Sequence, residues 1–311
     1  MATIDPILQK VLEAVPFRLS PDDGPEAVRK ALRDLPRTPL HPGIRTQDRT
    51  VDSAAGPIPI RIYWPAEHSG PAPVLLFLHG GGFAAGDLET HDGTARQHAV
   101  GAEAIVVAVD YRLAPEHPYP AAVDDAWAVL TWIAEHADEF GGDPHRLAVA
   151  GDSAGGNLAA VLTQLARDAG GPELKFQLLW YPALTWDTTL GSYTENAEAP
   201  ILDLAAIAGF SAWYAPDLDL TDAAGLPATL APSRAASLAG LPPAHIAVAG
   251  HDPLRDDGIV YGELLAAAGV EVSVDHAESL IHGYLGYAGV VPATTEAMDR
   301  GLSALRAALH A

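Results

Sequence analysis

The chain has 311 residues, no cysteine, and 40 acidic against 18 basic side chains, which gives a formal net charge of -22 at pH 7. A chain of this length can bury a substantial core, and the lack of thiols excludes disulfides, a cysteine nucleophile and zinc sites built on sulfur. Because polyanions repel one another, the acidic balance argues against nucleic acid and anionic membrane surfaces as partners.

The N-terminal part of the chain has a helical pattern. Residues 4–15 carry apolar side chains at helical spacing, and Ser20 before Pro21 predicts a second helix that begins with a hydroxyl N-cap and a proline at its first position. Two alternating stretches, 46–54 and 58–64, then predict a hairpin.

From residue 73 onwards, short apolar runs alternate with segments of helix length. Continuous apolar strands separated by helices are typical of a parallel sheet that is buried on both faces. The sequence therefore predicts an α/β fold with a mostly parallel central sheet flanked by helices. The predicted strands of this sheet are residues 74–78, 105–109, 147–150, 176–180, 245–249 and 270–274.

Residues 185–240 interrupt this alternation. They show no convincing strand pattern, and an unstructured loop of that length is uncommon inside a compact domain. We expect a helical insertion that folds over one end of the sheet together with the N-terminal helices. The predicted organisation is a pair of N-terminal cap helices (1–45), a catalytic domain in two segments (46–184 and 241–311) and a cap insertion (185–240).

The motif Gly151-Asp152-Ser153-Ala154-Gly155 lies between a predicted strand and a predicted helix, which is the context that a nucleophile elbow requires. A turn this tight leaves no space for a Cβ atom at either glycine. The turn raises the Ser153 hydroxyl above the sheet and directs amides of the new helix towards the place where an oxyanion would form.

Three successive glycines follow the first parallel strand, between His79 and Phe83. Glycines allow backbone amides to approach a substrate oxygen without obstruction from side chains. Amides placed there stabilise the negative charge that develops during acyl transfer. The segment lacks the lysine and Ser/Thr of a P-loop, so an oxyanion-binding loop is favoured over a phosphate-binding loop.

A serine hydroxyl needs a histidine base that a carboxylate orients. In proteins with this elbow, the acid and then the histidine follow the serine along the chain. Asp252 follows the predicted strand 245–249, and a loop after strand 270–274 leads to His282. Both residues should reach the edge of the sheet where Ser153 is expected, so we predict that these three residues form a catalytic triad.

Four neighbouring residues are alternatives to His282 and Asp252. His251 and His276 also lie near the predicted edge, but His276 is close to the end of its strand and no glycine follows it. Asp256 and Asp257 have a simpler explanation as the acidic first turn of the next helix, which the helix dipole favours.

Five motifs together resemble the hormone-sensitive-lipase-like family of bacterial carboxylesterases, which has the α/β-hydrolase fold. The resemblance covers roughly residues 45–310, and its most specific element is the run DYRLAPEHPYPA at 110–121. The other four motifs are HGGGF at 79–83, GDSAGGN at 151–157, DPLRD at 252–256 and HGY at 282–284.

The resemblance implies that Ser153 is the nucleophile, His282 the base and Asp252 its orienting acid. It also implies a helical cap that binds the acyl and alcohol groups of short-to-medium acyl esters, without a cofactor. The oxyanion donors that it implies are the backbone amides of Gly81, Gly82 and Ala154.

The resemblance further implies supporting roles near the site. The run 110–121 is a structural loop in the family, so Glu116 and His117 are not expected to be catalytic, and His79 is expected to anchor its own loop. Tyr284 stands where phenylalanine is common and could add a hydroxyl near the pocket. Cap aromatic residues either line an acyl pocket or simply form core: Trp186, Tyr193, Phe210, Trp213 and Tyr214.

The expected partner is a small-molecule ester, with no role for nucleic acid or membrane. The N-terminus has no apolar run of signal-peptide length and the other runs are too short to span a bilayer, so we expect a cytoplasmic protein. The histidines show no metal-site spacing, so no metal is expected. Relatives can dimerise through a sheet edge, which makes a homodimer a further expectation.

Two other functions use the same scaffold. An amidase or a lactonase could share the triad, because the triad acts on a carbonyl whether oxygen or nitrogen is attached to it. The cap would then decide between these substrates. A non-catalytic small-molecule receptor is a third hypothesis, since plant relatives bind a hormone. Such receptors tend to lose the catalytic histidine, whereas this chain has His282.

Overall fold

A computed structural model of the protein describes residues 2–37, 40–65 and 70–311. Residues 1, 38–39 and 66–69, which fall in the predicted segments 1–45 and 46–184, lie outside the described residues. The strands are β1 (Thr46–Ser53), β2 (Gly56–Tyr63), β3 (Ala72–Leu78), β4 (Ile105–Val109), β5 (Gly142–Asp152), β6 (Leu174–Trp180), β7 (Ala244–His251) and β8 (Val272–Ile281).

Within the described residues these strands form one eight-stranded sheet in the order β1-β2-β4-β3-β5-β6-β7-β8. β2 pairs antiparallel with β1 and β4, whereas β3 to β8 pair in parallel. The structure therefore confirms the predicted hairpin and the mostly parallel central sheet of an α/β-hydrolase fold.

Helices cover both faces of this sheet. α3 (Asp92–Ala102) and α9 (Pro292–Leu309) pack on one face, and α4 (Ala121–His136), α5 (Ala154–Ala169) and α8 (Arg255–Ala267) pack on the other. None of the helices in the described part of the chain combines the length and the hydropathy of a transmembrane segment. The helices are α1 (Pro6–Ala14), α2 (Pro25–Asp34), α3 (Asp92–Ala102), α4 (Ala121–His136), α5 (Ala154–Ala169), α6 (Gly191–Glu195), α7 (Leu204–Tyr214), α8 (Arg255–Ala267) and α9 (Pro292–Leu309).

The central strands are buried on both faces, as their continuous apolar sequence predicts. Every residue of β3 is buried. Leu75 and Phe77 belong to the core on the α3/α9 face, whereas Val74 and Leu76 belong to the core on the opposite face. Burial of each such side chain stabilises the fold by about 1.5 to 3 kcal/mol. This buried sheet positions the site.

The predicted last strand, 270–274, is wrong in both bounds. β8 begins at Val272 and continues to Ile281, so that His282 directly follows the strand and no loop leads to it. His276 lies in the middle of β8 and is exposed. The error has a physical cause. β8 is an edge strand, and because several of its positions are exposed and polar, its sequence resembles that of a loop.

The predicted start of the second helix is also wrong. Pro21–Asp23 forms only a short 3-10 turn, and the Ser20 side chain makes no capping hydrogen bond. α2 begins at Pro25, after Gly24 with a φ of 86°. This left-handed backbone at Gly24 ends the turn, and a proline without an amide hydrogen cannot continue it.

The N-terminal segment and the cap insertion contact each other. Arg18 and Ile201 form an isolated parallel bridge, in which the Leu19 amide donates to the Ile201 carbonyl at 3.0 Å. The Arg18 guanidinium also pairs with the Asp203 carboxylate. α6 and α7 lie within the insertion, and both the insertion and the N-terminal segment line the cavity that contains Ser153.

Candidate active site

Ser153 occupies the sharp turn between β5 and α5. Its backbone has a φ of 57° and a ψ of -116°, a conformation that is strained for a residue with a side chain and is typical of functional positions. A Cβ atom at Gly151 would collide with the Gly155 carbonyl, and one at Gly155 would collide with the Leu78 carbonyl. Only glycines therefore fit on both sides of the serine, as the motif predicts.

The three predicted triad residues meet at this turn. His282 Nε2 lies 2.9 Å from Ser153 Oγ, and His282 Nδ1 lies 2.8 Å from Asp252 Oδ2. The second carboxylate oxygen of Asp252 accepts a hydrogen bond of 2.8 Å from the Leu254 amide. Ser153, Asp252 and His282 are all at least nine-tenths buried. Because Nδ1 donates its hydrogen to the Asp252 carboxylate, the imidazole presents Nε2 to the serine as a proton acceptor.

Three of the alternative residues, His251, His276 and Asp256, lie away from the Ser153 hydroxyl. His276 is on the exposed edge of β8, and His251 ends β7 without contact to Ser153. The Asp256 carboxylate accepts from Arg255 and from the Ser192 amide. The structure thus brings neither histidine nor Asp256 to the serine hydroxyl.

Asp257 is more than an acidic residue in the first turn of α8. It is completely buried, and its carboxylate accepts hydrogen bonds from the amides of Leu184 and Thr185 at 2.9 and 2.7 Å and from the Tyr193 hydroxyl at 3.0 Å. Burial raises the pKa of Asp257 to about 6, although these hydrogen bonds oppose the shift. Asp257 therefore fastens the cap insertion to α8, a role that its sequence position does not indicate.

The glycine loop (79–83) is pinned against the elbow. The Gly80 amide donates to Asp152 Oδ1 at 2.9 Å. Gly81 and Gly82 have φ angles of 122° and 61°, which side-chain-bearing residues rarely adopt. A Cβ atom at Gly82 would lie 2.5 Å from Cγ of Phe210. The loop therefore runs closely between the sheet edge and α7.

The predicted oxyanion donors are available for a ligand. Among the described residues, no protein acceptor is found for the amides of Gly81 and Gly82. The Ala154 amide belongs to the first turn of α5, where amides lack intrahelical acceptors. The role of all three amides as oxyanion donors stays a prediction.

His79 anchors the glycine loop, as expected. Its Nδ1 atom donates to the Gly80 carbonyl at 2.8 Å, and its own carbonyl accepts from the Tyr111 hydroxyl at 2.7 Å. The His79 ring stacks between Tyr111 and His91, with centroid distances of 4.3 and 5.2 Å. Burial lowers the pKa of His79 to about 4. The ring is therefore neutral near pH 7 and supports the loop without adding charge.

Asp152 is a buried carboxylate that the sequence analysis left without a role. It is 6% exposed, and its Oδ1 atom lies 3.7 Å from His91 Nε2. Burial alone would raise the pKa of Asp152, but His91, His79 and the Gly80 amide together lower it. A charged residue at the end of the buried run 147–152, whose other members are apolar or glycine, was the available signal that Asp152 holds the glycine loop.

The family loop 110–121 braces the glycine loop together with α2. Arg29 on α2 donates from Nε to the Ala84 carbonyl at 2.8 Å and from Nη2 to the Ala114 carbonyl at 2.9 Å. The same guanidinium forms a bidentate pair with Glu116 at 2.9 and 2.5 Å. Glu116 therefore has a structural position, and Arg29 is a supporting residue that the sequence analysis missed.

A cavity of about 920 Å³ opens over the triad. Three of the five predicted cap aromatic residues line it, namely Trp186, Tyr193 and Phe210. Trp213 and Tyr214 are not among its lining residues. Apolar residues of the cap insertion and of the turn after His282 complete much of its wall: Leu204, Ile207, Leu285 and Val290.

The prediction that Tyr284 adds a hydroxyl near the pocket is wrong. Tyr284 is completely buried and does not line the cavity. Its ring packs edge-on against Trp180 and Tyr181, with centroid distances of 6.4 and 5.0 Å. The side chain points into the core because it belongs to the helical turn that starts at this residue. Within residues 2–37, 40–65 and 70–311, no cluster of metal-ligating side chains is found.

Comparisons with known proteins identify the family of this chain. The family model for the alpha/beta hydrolase fold matches residues 75–286. Esterase LipI of Mycobacterium tuberculosis is 66% identical over 99% of this chain and 96% of its own length. Carboxylesterase NlhH of the same species is 56% identical over 99% and 97% of the two chains. The crystal structure of DphMB1 superposes with a TM-score of 0.95 at 63% identity, covering 99% of this chain and 100% of that chain.

These matches extend over nearly the whole chain and include every motif on which the resemblance was based. The eight-stranded, mostly parallel sheet agrees with the alpha/beta hydrolase fold of the matching family. The chain belongs to the hormone-sensitive-lipase-like family of the α/β-hydrolase superfamily.

Proposed function

We propose that the protein is a carboxylesterase that hydrolyses short-to-medium acyl esters through an acyl-enzyme on Ser153. The observation that supports this most directly is the continuous chain of hydrogen bonds from Ser153 Oγ through His282 to Asp252, at 2.9 and 2.8 Å, beneath a largely apolar cavity. The names of the relatives at 66% and 56% identity, esterase and carboxylesterase, agree with the proposal.

In the first step, Ser153 Oγ attacks the ester carbonyl carbon and His282 Nε2 takes the hydroxyl proton. The carbonyl oxygen becomes negatively charged, and the amides of Gly81, Gly82 and Ala154 stabilise it. Each such donor contributes about 3 to 4 kcal/mol to the transition state. The bond to the alcohol oxygen then breaks, and the alcohol leaves with the proton from His282.

In the second step, water releases the acyl group by the same route. His282 takes a proton from the water while the water oxygen attacks the acyl carbon, and Ser153 recovers its proton as the free acid leaves. Asp252 holds the imidazole in the required tautomer and stabilises the imidazolium that forms in both steps.

The cavity favours neutral, apolar esters. Phe83, Trp186 and Phe210 supply aromatic surface beside the triad, and the whole chain has a net charge of -22. Negatively charged substrates are repelled by such a field. A length series of p-nitrophenyl esters, together with an arylamide and a lactone, measures this preference. Faster turnover of the amide or the lactone would assign an amidase or a lactonase instead.

The experiment that tests the proposal is Ser153→Ala. We expect turnover of p-nitrophenyl butyrate to fall by about 10⁴- to 10⁶-fold, with an unchanged circular dichroism spectrum. A fluorophosphonate should label the wild type at Ser153 and should not label the variant. Undiminished hydrolysis by Ser153→Ala, or a folded wild type that resists labelling, would refute the esterase and favour a receptor.

The proposal extends to location and assembly. We propose that the protein is a cytoplasmic enzyme that forms a homodimer and has no nucleic acid or membrane partner. β8 lies at the edge of the sheet, and Val274 on it is 42% exposed. Edge strands of this kind can pair with a second copy. Light scattering after gel filtration should give twice the monomer mass, and Val274→Lys should give the monomer. A monomeric wild type would contradict this part.

A further inference from the structure

The short helix α6 of the cap insertion lies against the loop that carries Asp252. We call residues 250–257, which run from the end of β7 to the first turn of α8, the acid loop. The Ser192 hydroxyl donates to the Pro253 carbonyl at 2.6 Å, and the Ser192 amide donates to Asp256 Oδ2 at 2.8 Å. These bonds join a segment that borders the substrate cavity to the segment that supplies the predicted catalytic acid.

One residue at the end of α6 reaches Asp252 itself. Asn196 Nδ2 donates to the Asp252 carbonyl at 3.1 Å and to the Gly250 carbonyl at 3.5 Å. Asn196 is only 5% exposed, so water cannot readily replace this donor. The Asp252 carbonyl also accepts from the Arg255 amide at 3.1 Å.

The backbone and the carboxylate of Asp252 are thus fixed separately. Its two carboxylate oxygens accept from the Leu254 amide and from His282, both at 2.8 Å. Asn196 and the Arg255 amide both hold the Asp252 carbonyl, and the position of this backbone determines whether the carboxylate is in line with the imidazole. A displacement of about 1 Å in a catalytic group can cost a hundredfold in rate.

We propose that Asn196 is a positioning residue for the reaction: it holds the Asp252 backbone so that the carboxylate stays aligned with His282. The cap insertion then has two roles, since it lines the cavity through Tyr193 and completes the triad geometry through Asn196. This inference rests on the esterase activity proposed above. Asn196 itself does not touch the substrate or the reacting atoms.

The test compares Asn196→Ala with Glu195→Gln. Glu195 is the neighbouring residue on α6 and also reaches the acid loop, through an ion pair with Arg255 at 2.8 Å, but it does not contact Asp252. We expect Asn196→Ala to lower kcat by about tenfold to a hundredfold with little change in KM. Glu195→Gln should keep kcat within about twofold of the wild type, because this ion pair does not hold Asp252 and its Glu195 end is 46% exposed.

The pH–rate profile supplies a readout that a purely structural role would not change. In Asn196→Ala the imidazolium loses part of the support from its carboxylate, so the acidic limb of kcat/KM should move to lower pH. Glu195→Gln should retain the wild-type limb. A lowered melting temperature with unchanged kcat and an unchanged limb would overturn the inference.

Two controls keep the outcome decisive. If Asn196→Ala does not fold, Ser192→Ala removes the Pro253 contact from the same helix and should lower kcat in the same direction by a smaller factor; an unchanged kcat there would count against the inference. A wild type that hydrolyses no ester would instead refute the proposed function. Wild-type hydrolysis with equal effects of Asn196→Ala and Glu195→Gln would refute the positioning role alone.

Discussion

Phe83 stacks face to face on Tyr214, with ring centroids 3.7 Å apart and ring planes inclined by 4°. Phe83 ends the glycine loop and has a φ of 59°, a backbone conformation that costs about 1 to 3 kcal/mol. Tyr214 is the last residue of α7 in the cap insertion. The contact means that the insertion supports the loop of the expected oxyanion donors in addition to covering the cavity.

Replacement of Tyr214 separates the role of its ring from that of its hydroxyl. The hydroxyl is buried, and none of the described residues provides a hydrogen-bond partner for it. Tyr214→Phe should therefore leave the free energy of unfolding unchanged or raise it. Tyr214→Ala should lower that free energy by about 3 to 5 kcal/mol and should reduce kcat. Urea unfolding and ester kinetics measure both effects, and a wild-type kcat in Tyr214→Ala would show that the loop does not need the stack.

Gly82→Ala should reduce kcat by about ten- to a hundredfold, because the new methyl group would lie 2.5 Å from the Phe210 ring and would push the loop away from the serine. Gly286→Ala is a matched control. Gly286 also lines the cavity, but a Cβ atom there meets no atom within 4 Å. The double variant Gly82→Ala/Phe210→Ala should recover part of the lost kcat, and failure of any recovery would argue against the steric explanation.

Arg29→Gln should lower both stability and activity. The Arg29 side chain is only 10% exposed, and its guanidinium holds the Ala84 carbonyl beside the glycine loop, so its loss should reduce the free energy of unfolding by about 1.5 to 3 kcal/mol. Arg306→Gln is the control, since Arg306 and Glu103 form a pair that is about half exposed and should contribute less than about 1 kcal/mol. Equal effects of the two variants in urea unfolding would contradict the bracing role.

Asp110→Asn tests a destabilising carboxylate. Burial, and then repulsion by Asp87, raise the pKa of Asp110 to about 6, although Arg33 opposes the shift. The folded state therefore binds this proton more tightly than the unfolded state. Protonated Asp110 contributes its full stabilisation below about pH 4, and this stabilisation is lost as the pH rises through about 6. Near pH 8 the variant should be more stable than the wild type by about 2 kcal/mol, after allowance for solvent screening.

The measurement for Asp110 is urea unfolding at pH 4.5 and pH 8. Asp110→Asn and the wild type should differ little at the lower pH and should diverge at the higher pH. Asp217→Asn, at an exposed aspartate, should show no such divergence. A constant difference between Asp110→Asn and the wild type at both pH values would mean that the carboxylate is not the cause.

The sequence alone determined the features that depend on local backbone geometry or on burial of continuous apolar strands. Gly151 and Gly155 could be assigned because no other side chain fits beside their neighbouring carbonyls. The interior strands could be found because both of their faces are buried. The chain order of Ser153, Asp252 and His282 predicted a triad, and the structure places their side chains within hydrogen-bonding distance of one another.

Only the tertiary structure decided how these groups are held in place. Arg29 and Glu116 are 87 residues apart, and Asn196 and Asp252 are 56 apart. Most of these supporting contacts end on backbone carbonyls or amides, which every residue possesses, so they leave no pattern of side chains to recognise. The true end of β8 was hidden for a related reason: an edge strand buries too few of its residues to show the apolar pattern that identified the interior strands.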